Sequence, residues 1–158
     1  FRRVLFRSDK LIYKPPGAEG VSLHQDWIAW PDFPQSFLTA IIPIDPFTED
    51  SGATCVYPGL HKAGCLSAKD GQHHVLKHED MDVQPVPLVL NPGDIAIING
   101  FLPHYSEPNK SGQWRRGYFV SYNAASDGGE QWSKHYAEFH NWILKKLPED
   151  RRASMSFI

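Results

Sequence analysis

Asn91-Pro92-Gly93-Asp94-Ile95-Ala96-Ile97-Ile98-Asn99-Gly100 enters on a turn, runs through an apolar stretch and leaves on a second break. Proline lacks a ladder donor and glycine tolerates unusual dihedrals, so Pro92-Gly93-Asp94 is a strong turn signal. The run Asp94–Asn99 between the breaks is too short for an ordinary helix and reads as a strand. Its four consecutive apolar residues, Ile95–Ile98, predict burial on both faces. Beyond it, Gly100 and Pro103 carry the break as far as His104.

Working outward, the same pattern recurs. Lys10–Lys14 ends in Pro15-Pro16-Gly17 and is followed at once by Val21–Trp27. Ser36–Ile44, Ala53–Tyr57, Pro85–Leu90 and Tyr118–Tyr122 are each short and bounded by Pro, Gly, Asn or Asp. That rhythm predicts a mainly β chain, a sandwich or barrel. One segment departs from it: Trp132, Tyr136, Phe139, Ile143 and Leu147 repeat at intervals of three and four before Pro148, which predicts a C-terminal helix with its aromatic stripe on the outside of a sheet. The stretch between Ala63 and Val83 is polar, rich in histidine and without period, as expected of a surface loop.

The chain has 158 residues, 41% apolar and 13% aromatic, enough for one sizeable core. A formal net charge of −2 provides no broad basic field for nucleic acid or an anionic membrane, and a small-molecule partner fits better. No apolar run is long enough to span a bilayer, and no signal peptide opens the chain, so a soluble cytoplasmic protein is expected. Cys55 and Cys65, the only cysteines, read as reduced thiols. The octapeptide Phe1–Ser8 does not blend into the alternation after it and reads as a non-native leader. Residues 9–158 are then expected to form one domain.

The chemistry begins at His24-Gln25-Asp26. Alternate strand residues point to one face, so an imidazole and a carboxylate can meet one metal ion there. Alone, the pattern fits equally a strand-end histidine near a solvated aspartate. His104 shifts the balance, because the turn before it can aim its side chain from one strand toward another. Two histidines and one carboxylate on Fe(II) leave three positions open, two for a bidentate 2-oxo acid and one for dioxygen. Eleven residues on, Arg115 can grip the far carboxylate of such an acid with two parallel hydrogen bonds, whereas lysine would match it less well. Arg116 is adjacent, and on a strand only one of the pair can face inward.

With these residues in view, the sequence resembles the phytanoyl-CoA dioxygenase family of Fe(II)- and 2-oxoglutarate-dependent oxygenases. The resemblance runs through Lys14-Pro15-Pro16-Gly17, His24-Gln25-Asp26, Thr48-Glu49-Asp50-Ser51-Gly52 and Pro58-Gly59-Leu60-His61-Lys62. It continues through Asn91-Pro92-Gly93-Asp94 and His104-Tyr105-Ser106 with Asn109, and ends at Arg115-Arg116. It implies a jelly-roll, or double-stranded β-helix, of the cupin type. It further implies His24, Asp26 and His104 as iron ligands, Arg115 and Ser106 at the distal carboxylate of 2-oxoglutarate, Arg116 facing away and a structural His61. O₂ would be the oxidant, the products a hydroxylated substrate, succinate and CO₂.

Two departures from the family pattern stand out. Ile41 occupies a position where members often carry tryptophan beside the cosubstrate, and the segment before His24 is short, as if an N-terminal part were lacking. The segment Tyr118–Ser126 resembles a subgroup that hydroxylates small aminophosphonates, which implies a compact polar substrate.

Other readings remain open from sequence. His73, His74 and His78, with Glu79, Asp80 and Asp82, could form a second metal site, or belong to a loop that closes over substrate. Trp27, Trp30, Phe33, Tyr57, Phe101 and Tyr105 could form an aromatic cage or fill the core, with Trp27 and Tyr105 best placed as pocket walls. A cupin-like metalloenzyme that is not an oxygenase would not need Arg115. A non-catalytic β-sandwich binding module would leave His24, Asp26 and His104 apart.

Overall fold

The computed structural model describes residues 4–27, 34–68, 74–130 and 132–149. Among these residues eight strands make two four-stranded antiparallel sheets. The first sheet contains β1 (Val4–Lys14), β3 (Leu38–Pro43), β6 (Ala96–Asn99) and β8 (Arg115–Ala124), in the order β1-β8-β3-β6. The second contains β2 (Val21–His24), β4 (Thr54–Val56), β5 (Val86–Pro87) and β7 (His104–Ser106), in the order β2-β7-β4-β5. This is a mainly β fold, as the strand rhythm predicts, and the jelly roll that the family resemblance implies. Short 3-10 turns lie at Leu60–Ala63 and His78–Asp80, and α1 spans Trp132–Lys146.

Inward residues alternate along each strand and meet between the sheets. Ile41, Phe47, Ala53, Val56, Ile98 and Leu102 form the main apolar cluster, and Trp27 with Phe37 forms a second one backed by Phe101 and Cys65. Phe47 lies outside the regular strands but is fixed by a reciprocal bridge: its N–H donates to the Leu90 carbonyl at 2.8 Å, and the Leu90 N–H returns a bond at 3.1 Å. Gly117 makes room for its ring, since a Cβ there would stand 2.5 Å from Phe47 Cζ.

Two expectations are corrected. The Ile95–Ile98 stretch is not buried on both faces: β6 is an edge strand, Ile98 points into the core, and Ile95 and Ile97 are 61% and 67% exposed. Residues His104–Ser106 form a full strand between β2 and β4, not merely the end of a turn. The first strand starts at Val4, so residues 4–8, set apart on sequence grounds, pair with the end of β8. Residues 1–3 lie outside the described residues.

Helix α1 lies beside β1, where the Tyr136 hydroxyl donates to Asp9 Oδ1 at 3.0 Å. Trp132, the first residue of the proposed stripe, is 42% exposed. The side chains of Phe139 and Ile143 lie outside the described residues. Among the described residues no helix is long and apolar enough to cross a membrane.

Overpacking a filled core costs about 1–3 kcal/mol. Gly117→Ala should therefore lower the unfolding free energy by that amount, read as a lower urea midpoint at unchanged m-value. Gly112→Ala is the control, because nothing stands within 4 Å of its Cβ position, and its midpoint should not move.

Candidate metal centre

His24 closes β2 and His104 opens β7, and the two are direct partners across the antiparallel ladder. Such partners carry their side chains on one face about 4.5–5.5 Å apart at Cβ. The imidazole centroids stand 4.3 Å apart with the rings inclined at 51°. Each ring is oriented from its own chain: His24 Nδ1 bonds the Ser22 carbonyl at 2.7 Å, and His104 Nδ1 bonds the Leu102 carbonyl at 2.9 Å. A nitrogen facing a carbonyl must carry the proton, so Nε2 of each ring is left as the metal-binding atom.

Asp26 reaches the same point by a different route from the one the alternation suggests. The strand ends at His24, and the next residues are held by side-chain and backbone ties to loops. Gln25, buried, donates to the Gly64 carbonyl at 2.8 Å and the Phe101 carbonyl at 2.5 Å, and accepts from the Leu66 N–H at 2.8 Å. The Trp27 N–H bonds the Gly100 carbonyl at 2.9 Å. Between these anchors, Asp26 Oδ1 lies 3.7 Å from His24 Nε2 and 3.8 Å from His104 Nε2. Those separations are too long for hydrogen bonds. They suit three donors around one cation, and these atoms all lie within 4.8 Å of one another.

The second carboxylate oxygen is held apart. Thr39 donates its hydroxyl to Asp26 Oδ2 at 3.2 Å and lies 3.1 Å from the Ser121 hydroxyl. Both hydroxyls are buried on the inner face of the first sheet. Burial raises the Asp26 pKa, but the charges of His104, Lys10 and His24 and the Thr39 hydrogen bond outweigh it and hold the carboxyl below its ordinary value. Sequence reasoning missed Thr39 and Ser121, since nothing local distinguishes them from other strand hydroxyls.

Arg115 and Arg116 divide as strand alternation requires. Arg115 is 3% exposed, with its guanidinium carbon 4.5 Å from the centre of the Phe47 ring. Its Nε and Nη1 are buried without a hydrogen-bond partner. Arg116 faces solvent, in a two-pronged pair with Asp45 at 2.8 and 2.9 Å. Ser106, two residues beyond His104 and on the same face, is buried with its hydroxyl 3.0 Å from Lys14 Nζ.

Other candidates fall elsewhere. Tyr105 cannot wall this site: between two inward residues it points outward, against His78 at 4.6 Å and Tyr57 at 6.1 Å. Trp27 instead stacks on Phe101 at 4.8 Å inside the core. The aromatics thus split into two groups and form no cage, although Trp30 and Phe33 lie outside the described residues. His78 bonds the Tyr57 hydroxyl at 2.7 Å. Among the described residues, His24, Asp26 and His104 form the only three-donor cluster, and His73 lies outside them. Ile41 is fully buried, and both cysteines are free.

A jelly roll with two imidazoles and one carboxylate converging between its sheets defines a class of candidate metalloenzyme. The comparison with known families narrows it. The chain belongs to the phytanoyl-CoA dioxygenase (PhyH) family, whose profile matches residues 3–117.

It is 35% identical over 127 residues to a 2-aminoethylphosphonate dioxygenase of the uncultured bacterium HF130_AEPn_1, covering 79% of this chain and 47% of that protein. A methylphosphonate hydroxylase of Gimesia maris is 35% identical over 121 residues, covering 76% and 45%. Among solved structures, the epimerase SnoN in complex with Fe3+, alpha ketoglutarate and nogalamycin RO matches with a TM-score of 0.67 at 17% identity, covering 77% of this chain and 50% of that one. AviO1 from Streptomyces viridochromogenes Tue57 matches with a TM-score of 0.63 at 24% identity, covering 78% and 52%. The chain spans about half the length of these relatives.

Groups that orient a metal-binding side chain commonly matter about 10–100-fold to metal affinity. Thr39→Val should weaken Co(II) binding, followed by its visible absorption, by about tenfold, and Thr39→Ser should restore it.

Proposed function

We propose that this chain carries the centre of an Fe(II)- and 2-oxoglutarate-dependent dioxygenase that hydroxylates a C–H bond of a small phosphonate. In the overall reaction the substrate, O₂ and 2-oxoglutarate yield the hydroxylated substrate, succinate and CO₂. The observation that carries this reading is the pairing of a three-donor cluster with an unpartnered, buried guanidinium between the same two sheets. A buried guanidinium without partners is costly, and a carboxylate from the cosubstrate would complete it.

In this reading His24 Nε2, His104 Nε2 and Asp26 Oδ1 hold iron, and Thr39 keeps the other oxygen of Asp26 turned away. Arg115 and Ser106 receive the distal carboxylate of 2-oxoglutarate. Iron, when bound, supplies the activation of dioxygen that couples decarboxylation of the 2-oxo acid to hydroxylation. The protein's own contribution is placement: the ladder fixes the imidazoles, and the apolar walls of Ile41 and Phe47 keep water from the interior. The two free thiols suit a cytoplasmic setting.

A phosphonate is anionic, and Lys10 supports that choice. It lies on the inner face of β1, is exposed, and is close enough to Asp26 to help lower its pKa. A cation at the open end of the site suits an anionic headgroup approaching the centre.

Anaerobic addition of Fe(II) and then 2-oxoglutarate should produce the weak visible charge-transfer band of the chelate, and His104→Ala and Asp26→Ala should abolish it. Failure of the folded chain to give the band would remove the oxygenase reading. With 2-aminoethylphosphonate or methylphosphonate as substrate, Lys10→Ala should raise KM about two- to fivefold, in proportion to one exposed charge contact, and leave the band intact.

A further inference from the structure

Asn123 is the last inward residue of β8 and is 1% exposed. The two ends of its side-chain amide meet different surroundings. Nδ2 faces three carbonyls of the turn that follows the strand, those of Ala124 at 3.1 Å, Asp127 at 2.8 Å and Gly129 at 3.0 Å. An amide nitrogen donates and an amide oxygen only accepts, so the three carbonyls fix which end is nitrogen. Oδ1 is turned the other way, buried and without a hydrogen-bond partner. A buried carbonyl oxygen left without a donor is costly, and folded chains almost always supply one.

The turn itself does not use that oxygen. The Ala124 N–H donates to Ser36 Oγ at 2.8 Å, the Ser36 N–H donates to Asp127 Oδ2 at 2.6 Å, and the Asp127 N–H closes onto the Ala124 carbonyl at 2.9 Å. What can use Oδ1 is decided by its place along the strand. The next inward residue back along β8 is Ser121, whose hydroxyl lies 3.1 Å from that of Thr39, the donor to Asp26. Two residues further back stands Phe119, the ladder partner of Lys10. From Phe119 to Asn123 is about 13 Å along an extended strand, with Ser121 midway. The Lys10 cation and the Asn123 acceptor therefore stand on either side of the Asp26 tie, on one face of the sheet. Arg115 begins the same strand, about 26 Å from Asn123 along it, so Oδ1 is out of reach of a carboxylate held by that guanidinium.

We propose that Asn123 Oδ1 is a specificity-determining acceptor for the substrate: it receives a hydrogen bond from an amino group of the phosphonate while Lys10 meets the anionic end. This rests on the reading of the centre and of its phosphonate substrate given above. The site then favours an aminoalkyl phosphonate over an alkyl one of the same length, because the alkyl compound leaves the oxygen buried and unbonded.

The test uses the chain loaded anaerobically with Fe(II) and 2-oxoglutarate and follows the perturbation of the chelate band as phosphonate is added. 2-Aminoethylphosphonate is compared with propylphosphonate, in which a methyl group replaces the ammonium. The unaltered chain should bind the amino compound about tenfold more tightly, as expected for one hydrogen bond to a charged group. Asn123→Leu should raise the Kd of the amino compound about tenfold and leave that of propylphosphonate unchanged. Asn123→Asp gives up the same turn contacts through Nδ2 but keeps an acceptor, so it should retain the preference.

Equal affinity of the unaltered chain for the two phosphonates, a comparison that needs no variant, would overturn the inference. So would an Asn123→Leu chain that keeps the preference, or one that weakens both compounds alike, since Asn123 would then only support the turn. A band that forms with 2-oxoglutarate but responds to neither phosphonate would overturn the inference together with the phosphonate reading and leave the iron centre standing. No band at all would overturn the centre and the inference with it.

Discussion

Side chains at directly opposed positions of an antiparallel ladder share one face at close range. In this chain that spacing is occupied by two imidazoles, His24 of β2 and His104 of β7. A slip of one residue in the register would turn His104 outward, where Tyr105 now packs, and bring Tyr105 in. The register is fixed from both sides of β7, by β2 and by β4, where Val56 also opposes His104 and sends an apolar side chain into the core. The burial of Val56 and the facing of His104 are thus consequences of one pairing.

Several of the buried polar groups between the sheets gather at two places. Asp26, Thr39 and Ser121 lie at the histidine end, while Ser106, Lys14 and Arg115 gather where β1 meets β8. Buried polar groups in folded proteins are almost all satisfied internally. Thr39 and Ser121 obey that rule, since they bond each other and Asp26. Arg115 Nε and Nη1 break it, and Phe47 over the guanidinium provides contact without a hydrogen bond.

Much of this was legible in the sequence, for reasons that can be named. Strands bounded by Pro and Gly announce themselves, and so do histidines placed at strand ends. That only one of Arg115 and Arg116 faces inward followed from alternation, and which one it is from the family resemblance. What escaped were properties set by neighbours distant in the chain. Ile95–Ile98 looks buried on both faces because four apolar residues in a row do not reveal that β6 lies at a sheet edge. Asp26 was placed by alternation along a strand that stops two residues earlier, and its true support comes from Gln25, which grips loops 39 and 76 residues away. Thr39 and Lys14 became part of the site only when the sheets brought them within reach of Asp26 and Ser106.

The inner face of β1 links these parts. Lys10, Ile12 and Lys14 alternate along it, and the apolar residue separates two lysines in unlike surroundings. Lys14 is enclosed, with its protons committed to three oxygens, so the position of its charge is fixed. Lys10 is open to solvent and mobile in its four-carbon stem, so it tolerates variation in what it meets. One strand thus carries an enclosed cation beside Arg115 and an open one whose charge acts on Asp26.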